Sequence, residues 1–135
     1  MDINRNDRDD IEFEIKFYEG VLEKKGDFYQ ALTALGDLYT KSGMIEKGLD
    51  VDQRLAKIRP QDPIVLYNLS CSYSLLGMID EAFEAMKFSI EQGYRDFSYL
   101  EKDSDLNNLL RDENFQRYLS QVKREKKGKG QTDYL

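Results

Sequence analysis

Leu35-Gly36-Asp37-Leu38-Tyr39-Thr40-Lys41-Ser42-Gly43-Met44-Ile45 returns 34 residues later as Leu69-Ser70-Cys71-Ser72-Tyr73-Ser74-Leu75-Leu76-Gly77-Met78-Ile79. The same offset links Tyr39 to Tyr73, Gly43 to Gly77 and Met44-Ile45 to Met78-Ile79 without a gap. In each copy the apolar positions keep helical spacing until a glycine, which accepts a backbone conformation that ends a helix. A period of about 34 with two helices per unit describes an all-helical stack in which each unit covers its neighbour's apolar face.

Upstream of the repeat, residues 1–8 are polar and expected to be flexible. From Asp9 or Asp10 to Lys25, Ile11, Ile15, Tyr18 and Leu22 mark one helical face. Asp9 and Asp10 suit the positive end of that helix, and Lys24 and Lys25 its negative end. Gly26-Asp27 supplies a stop and a new N-cap. The two copies predict helices over about 28–41, 45–58, 63–76 and 81–92, with inward-facing Leu32, Leu35, Leu38, Tyr39, Leu49, Leu55, Ile58, Leu66, Leu69 and Tyr73. Asp62 is the expected N-cap before Pro63, Asp80 the expected cap of the fourth of these helices, and Gly93 its end. Beyond Gly93 the period fails, and three shorter helices are expected near 97–101, 104–110 and 113–126, with Asp103 and Asp112 as caps.

These residues resemble tetratricopeptide repeats. Residues 29–62 carry the pattern at Leu32, Leu35, Gly36, Tyr39 and Pro60, and residues 63–96 at Leu66, Asn68, Leu69, Tyr73, Gly77 and Ala82. Residues 11–26 resemble the second helix of an earlier repeat through Ile15, Tyr18, Leu22 and Gly26, with its first helix missing. Residues 93–119 resemble the segment that closes some bacterial tandem arrays, through Asp103, Asp105, Leu106, Leu109, Asp112 and Phe115. The resemblance implies a right-handed α-solenoid of antiparallel helix pairs over 9–120, with its cap at 97–120 and a basic, disordered tail at 121–135. The last repeat has no successor to cover it, so a partly polar lid is needed. Tyr99, Leu100, Leu106, Leu109, Leu110, Phe115 and Leu119 are the lid's expected inward side.

Asp52 departs from the pattern, which places a large apolar residue there; its counterpart in the second copy is Met86. Two readings stand. Either the helix rolls so that Val51 or Leu55 fills the place and Asp52 meets solvent or a Lys/Arg, or the carboxylate is held in a semi-buried network. The general rarity of buried Asp favours the first.

The 135 residues carry a net charge of −6. Residues 121–135 hold Lys123, Arg124, Lys126, Lys127 and Lys129 against Glu125 and Asp133, a net +3, which leaves −9 for residues 1–120. An acidic body argues against nucleic acid as a partner, because phosphate neutralisation needs a basic face. Touching an acidic partner, RNA or anionic lipid is one reading of the basic tail; a solubilising extension is the commoner role. The single Cys71 fits a reducing compartment, and the N-terminus lacks the apolar region of a signal peptide. No apolar run approaches the ~20 residues of a membrane span, so a cytoplasmic location is expected.

Catalytic chemistry finds little support. With no histidine in the chain, no imidazole base or Ser-His or Cys-His pair exists. Asp103-Ser104-Asp105 lacks the glycine and distal glutamate of a calcium loop. No enzyme activity, cofactor or metal is expected.

The resemblance implies instead a concave groove that binds a peptide or helix of another protein. Carried across by position, its residues are Gln30, Thr33, Asp37, Thr40 and Lys41 in the first copy. In the second they are Ile64, Tyr67, Asn68, Cys71, Ser74 and Leu75, with Tyr67, Ile64 and Leu75 as an apolar anchor. The plain alternative is that these are merely exposed helix residues. The family's clamp for acidic C-termini is not preserved, since its basic residue falls on Thr33 and its first Asn on Asp37. Phe13 and Phe17 lie off the packing face of the first helix, where the missing helix would sit, and suggest self-association unless neighbouring residues cover them.

Overall fold

Three glycines set the frame. Gly43, Gly77 and Gly93 have φ of 77°, 74° and 119°, a region that side chains with a Cβ rarely enter. At the first two the turn is closed in the same way. Gly43 N–H donates to Thr40 and Met44 N–H to Tyr39, and 34 residues on Gly77 N–H donates to Ser74 and Met78 N–H to Tyr73. These bonds satisfy carbonyls that the helix end leaves free, and they turn the chain back along the helix it has just left.

The computed structural model describes residues 5–132, and side chains for 7–125. Among the described residues there are eight α-helices and no strands. They are α1 (Arg5–Lys24), α2 (Tyr29–Lys41), α3 (Ile45–Ile58), α4 (Pro63–Leu75), α5 (Ile79–Glu91), α6 (Phe97–Lys102), α7 (Asn107–Leu110) and α8 (Glu113–Thr132). A single 3-10 turn at Ser104–Leu106 precedes α7. From α1 to α5 each helix packs on the next, and α4 and α5 also take up the cap. The chain is an all-helical, solenoid-like stack.

Several ends differ from expectation. Helix α1 starts at Arg5, so residues 5–8 join it, while residues 1–4 lie outside the described part of the chain. The N-cap of α2 is Phe28 and that of α5 is Met78, neither with a side-chain cap bond. Asp27 and Asp80 therefore do not cap. Asp80 lies in the first turn of α5, where the helix dipole favours a negative charge without a hydrogen bond. Asp62 does cap α4, accepting from Ile64 N–H at 2.9 Å and Val65 N–H at 3.3 Å, with Pro63 at the first helical position. Helix α8 runs on to Thr132 through residues expected to be disordered; residues 133–135 lie outside the described part.

The core has two centres. The first joins Ile15 and Leu22 of α1 to Leu32, Leu35 and Tyr39 of α2 and Val51 and Leu55 of α3. The second joins α4 and α5, through Tyr67, Cys71, Ala82, Met86 and Ile90, to Leu100, Leu106, Leu109, Phe115 and Leu119 of the cap. Burial of each such Leu or Phe stabilises by about 2 kcal/mol, so the cap is held chiefly by its apolar side. Phe97 and Tyr94 join that side as well, whereas Tyr99 remains 60% exposed. Ile58 is likewise exposed, and Val51 fills the interior place on α3.

One hydrogen bond is repeated with the period. Tyr39 Oη donates to Glu19 Oε2 at 2.6 Å, and Gln53 Nε2 donates to Tyr73 Oη at 3.1 Å. Glu19 and Gln53 are themselves 34 residues apart. Helix α1 thus stands to α2 as α3 stands to α4.

Candidate functional site

A cleft of about 500 Å³ opens between α2, α4 and the start of the cap. Helix α2 contributes Tyr29, Thr33, Gly36, Asp37 and Thr40; helix α4 contributes Ile64, Tyr67, Asn68, Cys71 and Leu75. Asp52 and Leu55 of α3 reach it from below, and Tyr99, Asp103 and Asp105 close its far end. Gly36 permits the close approach of α3. A Cβ there would lie 3.3 Å from Val51 Cγ1 and 3.4 Å from Asp52 Oδ1.

Of the positions named from sequence, Thr33, Asp37, Thr40, Ile64, Tyr67, Asn68, Cys71 and Leu75 line this cleft. Gln30, Lys41 and Ser74 do not. Gln30 is exposed outside it, and Lys41 turns back along α2 to pair with Asp37 at 2.9 Å. Ser74 is fully buried beneath the cap. Its Oγ accepts from Leu109 N–H at 3.1 Å and its carbonyl accepts from Asn108 Nδ2 at 2.8 Å.

For Ser74 the reason is the cap, which lies over this face of α4. Tyr67 is 5% exposed, stacks on Tyr94 at 4.7 Å and donates its hydroxyl to Asp103 Oδ2 at 2.6 Å. It forms the floor of the cleft, with its ring already committed to the core. The apolar anchors left open are Ile64 and Tyr99, 56% and 60% exposed. Tyr99 lies in the cleft rather than on the lid's inward side, and its place there leaves no periodic trace because it follows the break in the repeat.

Asp103 caps its 3-10 turn as expected, Oδ1 accepting from Asp105 N–H at 3.0 Å. Its other oxygen takes Tyr67 and, at 3.8 Å, the Cys71 thiol. Burial pushes that thiol well above its ordinary range, and the carboxylates of Asp103 and Asp105 push it further. Cys71 is therefore a packed, inert thiol. Burial and neighbouring Asp103 raise the carboxyl of Asp105 too.

Asp52 follows the second of the two sequence readings. It is 8% exposed, between Val51 and Leu55, which are buried with it. Its partner is a hydroxyl rather than a Lys or Arg: Ser72 Oγ donates to Oδ2 at 2.5 Å. Burial raises its carboxyl from the usual 3.8 to about 6, and the Ser72 bond opposes part of that rise.

The cleft thus carries Asp37, Asp52, Asp103 and Asp105 with no Lys or Arg among its lining side chains. Among the described residues no three His, Cys, Asp or Glu side chains are grouped closely enough to hold a metal. A second concavity, along α8 from Glu113 to Arg124, is lined by that one helix alone and has no facing wall. Among the described residues no helix is long and apolar enough to cross a membrane.

No family model matches the chain. Over 86 residues it is 27% identical to a chloroplastic protein of Arabidopsis thaliana. That stretch is 62% of this chain and 26% of the plant protein, so the chain spans about a quarter of the length of that relative.

Proposed function

We propose that this chain is a non-enzymatic protein-interaction adaptor of the tetratricopeptide-repeat type, working in the cytoplasm, whose cleft takes a peptide or helix of another protein. The observation that carries the reading is the cleft's composition. Four carboxylates and no basic side chain line it, with Ile64 and Tyr99 open at its edges. Such a surface favours a segment with one or two Lys/Arg beside an apolar residue, since charge complementarity sets register and excludes acidic competitors.

Asp37 at the rim is already paired with Lys41, but both are largely exposed, and such a pair is worth less than about 1 kcal/mol. An incoming cation can displace it.

Selection from a random peptide library on the immobilised protein tests this. Enrichment of sequences pairing Lys or Arg with an apolar side chain is expected; acid-rich winners, or none above background, would refute the reading.

A further inference from the structure

The exposed face of α1 has a spacing that reads the same from either end. Asp9, Phe13, Lys16-Phe17, Gly20 and Lys24 are separated by steps of four, three, three and four about a centre between Lys16 and Phe17. All lie on the side of the helix opposite Ile11, Ile15 and Leu22, which pack on the core. Phe13 and Phe17 are 73% and 57% exposed, and a Cβ built at Gly20 meets no atom within 4 Å.

From this geometry we propose that α1 pairs antiparallel with α1 of a second copy of the chain, across a two-fold axis at Lys16–Phe17. In that register each Phe13 sits on the open Gly20 of the other chain. Each Asp9 faces a Lys24, and each Lys16 faces the Phe17 ring. Along the centre of the pair ring then meets glycine, carboxylate meets ammonium and cation meets aromatic face, while the like charges it brings near one another, Asp10 with Glu23 and Lys16 with its symmetry mate, stay at the solvent-exposed edges. A parallel pairing would instead stack Asp9 on Asp9 and Lys24 on Lys24. The surface is separate from the cleft, so each stands or falls without the other.

The test is sedimentation of the full chain at about 10 to 500 µM, where a single-helix interface of this size is expected to dissociate in the micromolar range. Asp9→Lys or Lys24→Asp alone should raise the dissociation constant about fivefold, and the two together should restore it. Gly20→Leu should abolish the dimer while leaving the circular dichroism unchanged. Mixing Asp9→Cys and Lys24→Cys chains under mild oxidation should yield the mixed disulfide. Asp9→Cys alone should not cross-link to itself, because the two positions would be about 22 Å apart along the helix pair. Self-linked Asp9→Cys chains, a dimer indifferent to the charge exchange, or a monomer throughout would overturn the proposal, the last leaving the face to a preceding helix of a longer chain.

Discussion

Ser72 donates a 2.5 Å hydrogen bond to Asp52 where α3 meets α4, and that carboxylate is buried with no cation among its hydrogen-bond or ion-pair partners. Its carboxyl lies near 6 in the folded chain against 3.8 ordinarily. The unfolded chain gives up this proton first, so native stability falls as pH rises from about 4 to 6, by about 3 kcal/mol in all. Asp52→Asn keeps an acceptor for Ser72 and removes the charge. It should stabilise the fold by about 2–3 kcal/mol at pH 7 and by almost nothing at pH 4, read from denaturant melts at both.

The second repeat solves the same position without charge. Thirty-four residues beyond Asp52 and Ser72 stand Met86 and Leu106, both fully buried. Copying only half of that pair, with Asp52→Met, leaves the Ser72 hydroxyl unpaired, which costs about 1–3 kcal/mol. The double change Asp52→Met/Ser72→Leu should therefore be more stable than either single change. A thermal melt series at pH 7 shows whether the coupling has this sign.

The two periodic tyrosine bonds differ in strength by their partners. Tyr39 donates to a carboxylate from a buried ring, and Tyr73 accepts from an exposed amide. Hydrogen bonds to charged groups are worth about 1.5–3 kcal/mol and neutral exposed ones much less. Tyr39→Phe should destabilise by about 1–2 kcal/mol, and Tyr73→Phe by under about 0.5 kcal/mol, in urea melts. Equal losses would contradict this account of how α1 is held.

Gly77 ends α4 at φ 74° with open space around its missing side chain. Only backbone strain opposes a substitution there. Gly77→Ala should destabilise by about 1 kcal/mol and Gly77→Asn by less, since Asn tolerates the left-handed region. Calorimetric melting separates the two.

What the sequence makes legible is the periodic part. Leu32, Leu35, Leu38, Tyr39, Leu66 and Leu69 are buried because each repeat places an apolar residue where its neighbour needs one. The departure at Asp52 is visible too, but its partner is not: a serine twenty residues away leaves no pattern, and the register of α3 on α4 is set by packing. The cleft is half legible. Equivalent positions in the two copies have opposite fates, Thr33 and Asp37 open while Tyr67 and Cys71 are covered. The non-repeating cap makes that difference, and with it come Tyr99, Asp103 and Asp105.

Tyr67→Ala would remove a core ring and confound binding with folding, whereas Asp37, Ile64 and Tyr99 are exposed, Tyr99 meeting the core only through its tilted contact with Tyr67 at 6.1 Å. The decisive measurement is the affinity of a library-selected Lys/Arg-containing peptide for the wild type and for Asp37→Lys/Ile64→Ser/Tyr99→Ala, by titration calorimetry at low and high salt. At least a tenfold loss, about 1.4 kcal/mol, is expected in the variant, with weaker wild-type binding at high salt. Equal affinity of the two proteins, with the variant folded, would contradict it.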